Sequence, residues 1–323
     1  MRILSGMRPT GRLHLGHLSV LENWLRLQEE NECFFFVADW HAFTTEYENP
    51  GQIKDFTYEM VGDWLAVGID PEKSVIFVQS QVPEHAELHL IFSMFTPLSW
   101  LERVPTYKDQ VRKLAEQGKD ITTYGFLGYP LLQAADILIY LAEGVPVGED
   151  QLPHIELCRE VARRFNHLYA PVFPEPQGIL AEIKLVPGID GQKMSKSYHN
   201  EIPLTAAAQE LARLTNMMVT DPARIHKDDL GHPEVCTVYK YHALYNNEVA
   251  EIELSCRAGK IGCVACKKRL AQITEGVLGP VRERRAALTA RKGYIEEVLH
   301  TGRAKAQLVA AATLEKVRAA LNL

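Results

Sequence analysis

The chain has 323 residues, of which 46% are hydrophobic and 24% are charged. This composition is typical of a soluble globular protein and excludes a disordered or fibrous chain. No apolar run approaches the roughly 20 residues of a membrane-spanning helix, and the N-terminus lacks the apolar stretch of a signal peptide. We therefore expect a cytoplasmic protein without a membrane partner, and the length predicts two domains.

The net charge of −6 conceals an uneven distribution. Residues 257–323 contain 14 Lys and Arg against 5 Asp and Glu, whereas the rest of the chain is acidic. A basic C-terminal segment is typical of a protein that binds RNA at that end. A solvated basic helix face explains the same charge equally well, so both interpretations stay open.

The order of apolar runs and amphipathic stretches indicates the fold of the first 200 residues. Strands are predicted at Met1–Ser5, Cys33–Ala38, Ser74–Gln79, Val145–Val147 and Ala181–Leu185. Helices are predicted from residue 18, at 51–67, over most of 84–143 and at 150–168. This alternation predicts an α/β fold with a doubly wound parallel sheet, whose ligands bind at the carboxyl ends of the strands. After Pro203 the pattern is helical, so we place a domain boundary near residue 200.

A short histidine motif follows the first predicted strand. His14 and His17 lie three residues apart, with Gly16 between them, where the chain enters its first helix. Imidazoles at this point can contact an anion that backbone N–H groups also bind, and the glycine lets a ligand approach the backbone. The motif is therefore a candidate phosphate site, although G-x-x-x-x-G-K-[ST] does not occur and no G-x-G-x-x-G follows the strand.

A lysine motif, Lys193-Met194-Ser195-Lys196-Ser197, lies in the predicted loop after the last strand. Two lysines three residues apart can neutralise a phosphate chain, whose charge grows on the leaving group during transfer. By itself the segment would be interpreted as a solvated basic loop. Its occurrence together with the histidine motif favours a functional interpretation.

Together the two motifs resemble the signature sequences of class I aminoacyl-tRNA synthetases, at the spacing of the members that activate aromatic amino acids. Further segments resemble the tryptophanyl-tRNA synthetase family and occur in its order: Ser5–Gly11, Ala38–Thr44, Val67–Pro71, Gln79–His85, Tyr129–Tyr140, Val145–Gln151 and His154–Leu157. The resemblance implies a Rossmann-type catalytic domain over residues 1–200, a C-terminal all-helical, anticodon-binding domain over residues 201–323, and a homodimer. A synthetase-like RNA-binding paralogue is an alternative, but such a protein would be expected to lack a signature residue.

The resemblance also implies a reaction and an ATP site. L-tryptophan and ATP, with Mg²⁺, would give tryptophanyl-adenylate and pyrophosphate, and the aminoacyl group would then pass to tRNA(Trp). The catalytic residues would be His14, His17, Lys193 and Lys196. The ATP site would include His17 and both lysines together with Arg8, Pro9, Thr10, Gly16, Gly148, Glu149, Asp150, Ile183, Met194, Ser195 and Ser197. Such a reaction needs positioning and charge stabilisation and no general base, because the amino-acid carboxylate is already a nucleophile.

One predicted helix contains the residues that we expect to determine amino-acid specificity. Tyr129, Gln133 and Asp136 are spaced i, i+4 and i+7, so their side chains share a face. A buried Asp136 can accept the indole N–H, and a site of this kind rejects an analogue without that donor by roughly 10⁴–10⁵. By resemblance, the tryptophan pocket is completed by Leu4, His41, Val147 and Gln151. Tyrosyl-tRNA synthetases carry Tyr, Gln and Asp at the same spacing, so tyrosine stays as the alternative substrate.

Four of the six cysteines predict a metal site in the C-terminal part of the chain. Cys256-x6-Cys263-x2-Cys266, with Cys236 upstream, is a metal-binding pattern. Four thiolates suit either an iron–sulfur cluster or Zn²⁺. A subset of bacterial tryptophanyl-tRNA synthetases resembles this pattern and carries a [4Fe–4S] cluster. We therefore expect that cluster here, with Zn²⁺ as the alternative.

Two pairs of histidines receive no functional role. His85 and His89, spaced i, i+4, are interpreted as a plain helix face, because the pattern offers no third metal ligand. His226 and His232 flank a polar loop and are assigned no chemistry.

Overall fold

A parallel sheet forms the centre of the protein. The computed structural model describes residues 1–104, 111, 121–180, 185–195 and 198–323. The strands are β1 Arg2–Met7, β2 Glu32–Val37, β3 Ser74–Val78, β4 Gly144–Val147 and β5 Gln177–Leu180. Neighbouring strands pair in parallel, in the order β3-β2-β1-β4-β5. This result confirms the predicted Rossmann-type α/β fold.

Helices connect the strands and form the regular structure that the described residues adopt after β5. They are α1 Leu18–Glu30, α2 Asp39–Glu46, α3 Ile53–Val67, α4 Glu84–Ser93, α5 Leu98–Glu102, α6 Tyr124–Ile139, α7 Leu152–Leu168, α8 Ala208–Met217, α9 Thr237–Tyr245, α10 Val249–Arg257, α11 Cys263–Ala290 and α12 Tyr294–Leu321. The predicted helical C-terminal part is confirmed. Within the described residues, no helix combines the length and the apolar character needed to cross a bilayer.

The apolar sequence of β2 explains why helices cover both faces of the sheet. Every residue of β2 after Glu32 is buried, as expected of a strand that is covered on both sides. On one face Phe35 stacks on Trp24 of α1, with ring centroids 4.3 Å apart. On the other face Phe34 stacks on Tyr140, which follows α6, at 4.9 Å. The protein therefore has two apolar layers, one on each side of the sheet.

Two elements differ from the sequence prediction. The last strand, β5, ends at Leu180, whereas the prediction placed it at 181–185; residues 181–184 lie outside the described residues, and Leu185 is in no strand. β5 lies at the edge of the sheet and none of its residues is buried, so it lacks the apolar run on which the prediction relied. Helix α2 was not predicted, since it has only eight residues and a mixed sequence.

The C-terminal helices pack directly on the first half of the chain. A methyl group at Gly302 of α12 would lie 1.8 Å from the backbone oxygen of Ile76 in β3, so only glycine permits this approach. Helix α11 lies against α3, where the guanidinium of Arg285 pairs with Asp63 and Glu59, each at 3.1 Å. These contacts join residues that are more than 200 positions apart in the sequence.

Part of the basic charge of residues 257–323, which the sequence analysis associated with RNA binding, is paired with carboxylates of the protein itself. In residues 257–323, the arginines in ion pairs with carboxylates are Arg257, Arg269, Arg282, Arg285 and Arg318. Two of them, Arg285 and Arg318, pair with carboxylates of the acidic first half of the chain. The charge asymmetry therefore serves, in part, to join the two halves of the protein.

Candidate active site

The point where the strand order reverses defines the crevice of this sheet. In parallel sheets of this order, ligands bind outside the carboxyl ends of the two strands at the reversal, here β1 and β4. The histidine motif follows β1, and the predicted ATP-binding residues Gly148–Asp150 follow β4. The side-chain amide of Gln151 donates a hydrogen bond to Asp150 at 3.0 Å, which connects a predicted ATP residue to a predicted tryptophan residue.

The two histidines of the motif contact each other. Their ring centroids lie 3.9 Å apart, and the backbone N–H of His14 donates to Nδ1 of His17 at 3.2 Å. A neutral His17 that accepts at Nδ1 carries its proton on Nε2, which makes Nε2 a hydrogen-bond donor. A methyl group at Gly16 would lie 3.0 Å from the His14 ring, so this position favours glycine.

The structure brings the histidine and lysine motifs together. The same hypothetical methyl group on Gly16 would lie 3.7 Å from Sδ of Met194, which is buried. Lys193 is exposed beside it. Three predicted ATP-binding residues, Ile183, Lys196 and Ser197, lie outside the described residues.

Residues 200–206, which we call the connecting segment, contact both motifs. The backbone N–H of Leu15 donates to the carbonyl of Ile202 at 2.8 Å, and that of Leu204 donates to the carbonyl of Leu13 at 3.1 Å. The segment is held from the other side by Arg282 of α11, which donates to the carbonyl of Ala206 at 2.8 Å.

Asn200 begins the connecting segment and holds the loop of the lysine motif. Its buried side chain accepts from the N–H of Ser195 at 2.8 Å and donates to Asp190 at 2.9 Å and to the carbonyl of Lys193 at 3.2 Å. Sequence reasoning missed Asn200, because an asparagine after a polar loop carries no signal that distinguishes it from an exposed turn residue.

A cavity of about 260 Å³ lies at the carboxyl ends of β1 and β2. Five residues of the predicted tryptophan pocket line it: His41, Tyr129, Gln133, Asp136 and Gln151. The other lining residues are Gly6, Arg8, Phe36, Ala38, Thr44 and Phe126, of which only Arg8 had a predicted role, in binding ATP. Leu4 and Val147, also predicted for the pocket, are buried in the adjacent apolar layer and do not line the cavity. Four of the five missed residues lie in the last residues of β1 and β2 or shortly after β2, where the carboxyl-end rule could have indicated them.

Asp136 is the most strongly held polar group of the cavity. Its Oδ1 accepts hydrogen bonds from Gln79 at 2.8 Å and from Nδ1 of His85 at 2.7 Å, and its Oδ2 accepts one from Nε2 of His41 at 2.7 Å. Burial alone would raise the pKa of Asp136, but the hydrogen bonds from His41 and His85 outweigh it and lower the pKa to about 2. The carboxylate is therefore ionised at neutral pH, with its charge balanced by three donors.

The prediction that His85 belongs to a plain helix face is wrong. The residue is completely buried, and its ring bridges Asp136 and the hydroxyl of Tyr140, each at 2.7 Å. The i, i+4 spacing with His89 was therefore misleading. The partner that gives His85 its place is 51 residues away in the sequence and could not be recognised from it.

His154 forms part of the wall behind the cavity. It is buried, and its Nε2 lies 3.3 Å from the hydroxyl of Tyr129, which lines the cavity. Burial lowers the pKa of His154 to about 4, so the imidazole is neutral at pH 7. A cation in the same wall comes from Arg8, whose guanidinium donates a hydrogen bond to the hydroxyl of Thr45.

Comparison with known proteins identifies the family. A family model described as tRNA synthetases class I (W and Y) matches residues 1–279. The chain belongs to this family. It is 55% identical to a tryptophan--tRNA ligase of Thermotoga maritima, with 100% of this chain and 99% of the relative covered. It is 46% identical to a tryptophan--tRNA ligase of Aquifex aeolicus, with both chains covered completely.

A solved structure of a related synthetase has the same fold. The tryptophanyl-tRNA synthetase of Campylobacter jejuni, complexed with ADP and tryptophane, superposes with a TM-score of 0.90. The two chains are 33% identical, and both are covered completely. The similarity therefore includes the C-terminal helices as well as the sheet.

The four cysteines of this class I synthetase lie where three C-terminal helices begin or end. Cys236 precedes α9, Cys256 lies in the last turn of α10, and Cys263 and Cys266 lie in the first turn of α11. Burial and, to a smaller extent, the nearby thiols of the other three cysteines together raise the pKa of Cys266 to about 12. Sγ of Cys256 also lies 3.8 Å from the guanidinium of Arg224.

The cysteine side chains do not form a metal-ion site of standard spacing. Within the described part of the chain, no group of three or more His, Cys, Asp or Glu side chains is arranged to hold a metal ion. The nearby basic side chains are partly occupied: Arg257 pairs with Glu253 at 3.0 Å, and Lys267 donates to the carbonyl of Asn216 at 2.7 Å. The four cysteines are thus free thiols at neighbouring helix ends.

Proposed function

We propose that this chain activates L-tryptophan with ATP and transfers the aminoacyl group to tRNA(Trp). The observation that carries the proposal is the buried, ionised Asp136 in a cavity at the carboxyl ends of β1 and β2. A carboxylate has about four acceptor positions, and three are used by the described residues. One position, on Oδ2, is left for the indole N–H.

The choice of tryptophan over other aromatic amino acids has two supports. Phenylalanine carries no ring donor, so binding it would leave a buried acceptor unpaired, at a cost of roughly 10⁴–10⁵ in specificity. Tyrosine has a hydroxyl donor, so against it the proposal relies on the high identity to relatives named tryptophan--tRNA ligase.

The proposed reaction is a direct displacement. The carboxylate oxygen of tryptophan attacks the α-phosphorus of ATP, a new C–O–P bond forms, and pyrophosphate leaves with the electrons of the broken P–O bond. Tryptophan already carries its nucleophile, so the protein has to align the two substrates and stabilise the charge on the leaving group. Lys193 and Lys196 are proposed to supply positive charge, and His17 Nε2 is proposed to supply a hydrogen-bond donor. Mg²⁺ enters with the phosphates of ATP.

The remaining residues of the ATP site are proposed from the resemblance and from their position. The loop Arg8–Thr10 and Gly16 lie after β1, and Gly148–Asp150 lie after β4, on the two sides of the crevice. Buried Met194 and the loop residue Ser195 lie next to the histidine motif. Ile183 and Ser197 are retained in the proposal on the resemblance alone.

We assign residues 1–200 to amino-acid activation and residues 201–323 to anticodon binding. We also infer a cytoplasmic homodimer that forms through the exposed apolar side chains of α4 and α5 and the start of α6. These side chains are Leu90, Met94, Leu98 and Tyr124, all more than half exposed. Leu90 and Met94 are one helical turn apart and so present one face to a second copy.

We further infer that the four cysteines hold a [4Fe–4S] cluster, with Zn²⁺ as the alternative. Three of the four thiols are buried, and their neighbouring thiols contribute, after burial, to the raised pKa values of Cys256 and Cys266. Arg224 would offset the negative charge of the thiolates. Bound there, such a cluster would fix the ends of α9, α10 and α11 without taking part in the reaction.

Aminoacylation of tRNA transcripts tests the proposed function. The purified chain, ATP, Mg²⁺ and labelled tryptophan should charge a tRNA(Trp) transcript and leave tRNA(Tyr) uncharged. Labelled tyrosine should not be attached to either transcript. Charging of tRNA(Tyr) with tyrosine would contradict the proposal and favour the alternative substrate.

A further inference from the structure

We infer that His85, held in place by Tyr140, is a positioning residue that orients Asp136 and thereby sets the selection for an indole N–H. The three side chains form a chain of hydrogen bonds, Tyr140–His85–Asp136, with both links at 2.7 Å. They are at most 1% exposed. The inference rests on the proposed function, because it concerns how Asp136 recognises tryptophan.

The ionised carboxylate of Asp136 fixes the direction of the first hydrogen bond in this chain. The carboxylate only accepts, so Nδ1 of His85 donates to it. When the imidazole is neutral, Nε2 accepts and the hydroxyl of Tyr140 donates to it. Burial raises the pKa of Tyr140 well above its usual value, so the hydroxyl keeps its proton.

Rotation of the Asp136 carboxylate is opposed by the two donors on Oδ1. Gln79 and His85 both point at this oxygen, while Oδ2 accepts from His41 alone among the described residues. A turn of the carboxylate would break both bonds to Oδ1 in a buried site, where an unmade hydrogen bond is costly. Oδ2 is thereby kept as the oxygen that meets the ligand.

His85 acts through Asp136 and not by contact with the amino acid. Asp136 lines the cavity, whereas neither His85 nor Tyr140 does. The His85 ring packs against both Phe36 and Phe77, with centroid distances of 6.2 Å and 6.1 Å, and this packing restricts the ring plane. Its substitution should therefore alter recognition of the indole N–H more than recognition of the indole shape.

An analogue without the N–H separates these two effects. β-(Benzothiophen-3-yl)-L-alanine has nearly the shape of tryptophan but carries sulfur in place of the indole N–H. The ratio of kcat/KM for tryptophan to kcat/KM for this analogue, in ATP–pyrophosphate exchange, measures the contribution of the N–H. A general loss of structure lowers both values and leaves the ratio unchanged.

Three variants and one control test the inference. Tyr140→Phe removes only the hydroxyl that holds His85, and His85→Leu removes the donor to Asp136. His85→Asn keeps an N–H near the position of Nδ1 and should restore part of the ratio. Tyr239→Phe is the matched control, since it removes a hydroxyl that donates to a carboxylate, Glu253, remote from the cavity.

We expect His85→Leu to lower the ratio roughly 10- to 100-fold, since a hydrogen bond to a charged group is involved. Tyr140→Phe should lower it by a smaller factor, and Tyr239→Phe should leave it unchanged. An unchanged ratio in Tyr140→Phe and His85→Leu, or equal losses for both substrates, would overturn the inference while the function stands. A wild-type protein that does not activate tryptophan would instead overturn the proposed function.

Discussion

The side-chain oxygen of Asn200 accepts a hydrogen bond from the backbone N–H of Ser195 at 2.8 Å. This contact fixes the lysine-motif loop to the connecting segment, whose next residues pair with the backbone of the histidine motif. One short segment therefore determines how far apart the two motifs lie. Because the transfer depends on alignment, a small displacement of one motif against the other should slow it strongly.

Replacement of Asn200 tests this relationship. Asn200→Ala should reduce kcat/KM for ATP in the exchange reaction by roughly 100-fold, because a displacement of about 1 Å can have that effect. The KM for tryptophan should change little, since Asn200 does not line the amino-acid cavity. Asn166→Ala is the control: Asn166 also makes three hydrogen bonds, all of them to backbone groups of residues 172 and 173, away from the motifs. Equal effects of the two substitutions would contradict the role of Asn200.

The ion pairs between the two halves of the chain should differ greatly in strength. The side chains of Arg285 and Asp63 are 13% and 5% exposed, whereas those of Arg318 and Glu87 are 46% and 39% exposed. Arg285→Ala should lower the free energy of unfolding by about 3 kcal/mol, because it leaves a buried carboxylate unpaired. Arg318→Ala should lower it by less than about 1 kcal/mol. Urea denaturation at pH 7 measures both, and similar losses would refute the distinction.

The buried His154 should make stability depend on pH. Its pKa is about 4 in the folded protein and 6.5 in an unperturbed side chain. Between these values the unfolded chain binds a proton that the folded chain does not, so stability falls as the pH falls from 6.5 to 4. At pH 5 the contribution of this residue is a loss of about 2 kcal/mol. His154→Gln should therefore lose less stability than the wild type between pH 7 and pH 5, and an identical loss would show that His154 is not the cause.

The four-cysteine proposal has a direct chemical test. Protein purified without oxygen should be brown and contain about four iron atoms per chain. Cys263→Ser should lose the iron and reduce tRNA charging, while amino-acid activation is retained. Cys158→Ser, which changes a buried cysteine in α7, should keep the iron. Colourless protein that contains one zinc ion per chain would show that the site binds Zn²⁺ and no cluster. Protein that contains neither metal would refute the metal site.

The sequence predicted the sheet and the positions of the two motifs because these depend on local patterns. The apolar run of β2 and the glycine that ends α3, at a φ of 124°, are features of single segments. β5 was misplaced because an exposed edge strand carries no apolar run. Helix α2 escaped prediction, although it carries His41 of the cavity, because eight residues are too few to show a helical period.

The polar contacts of the site were less predictable, because their partners are far apart in the sequence. His85 meets Asp136 across 51 residues, and Gln79 meets it across 57. Arg285 meets Asp63 across 222 residues. Asp136 itself was predictable, since an acidic residue within a run of apolar ones has to be buried with a partner. Which side chains would be its partners depends on the packing of α2, β3 and α4 around it.

ATP–pyrophosphate exchange with tryptophan and with tyrosine, in the absence of tRNA, tests most directly whether Asp136 selects tryptophan for activation. We expect rapid exchange with tryptophan and exchange with tyrosine near the background rate. In Asp136→Ala, the exchange rate with tryptophan should fall by roughly 10- to 100-fold or more. Exchange that tyrosine supports better than tryptophan, or an Asp136→Ala variant that retains full activity with tryptophan, would contradict this selection.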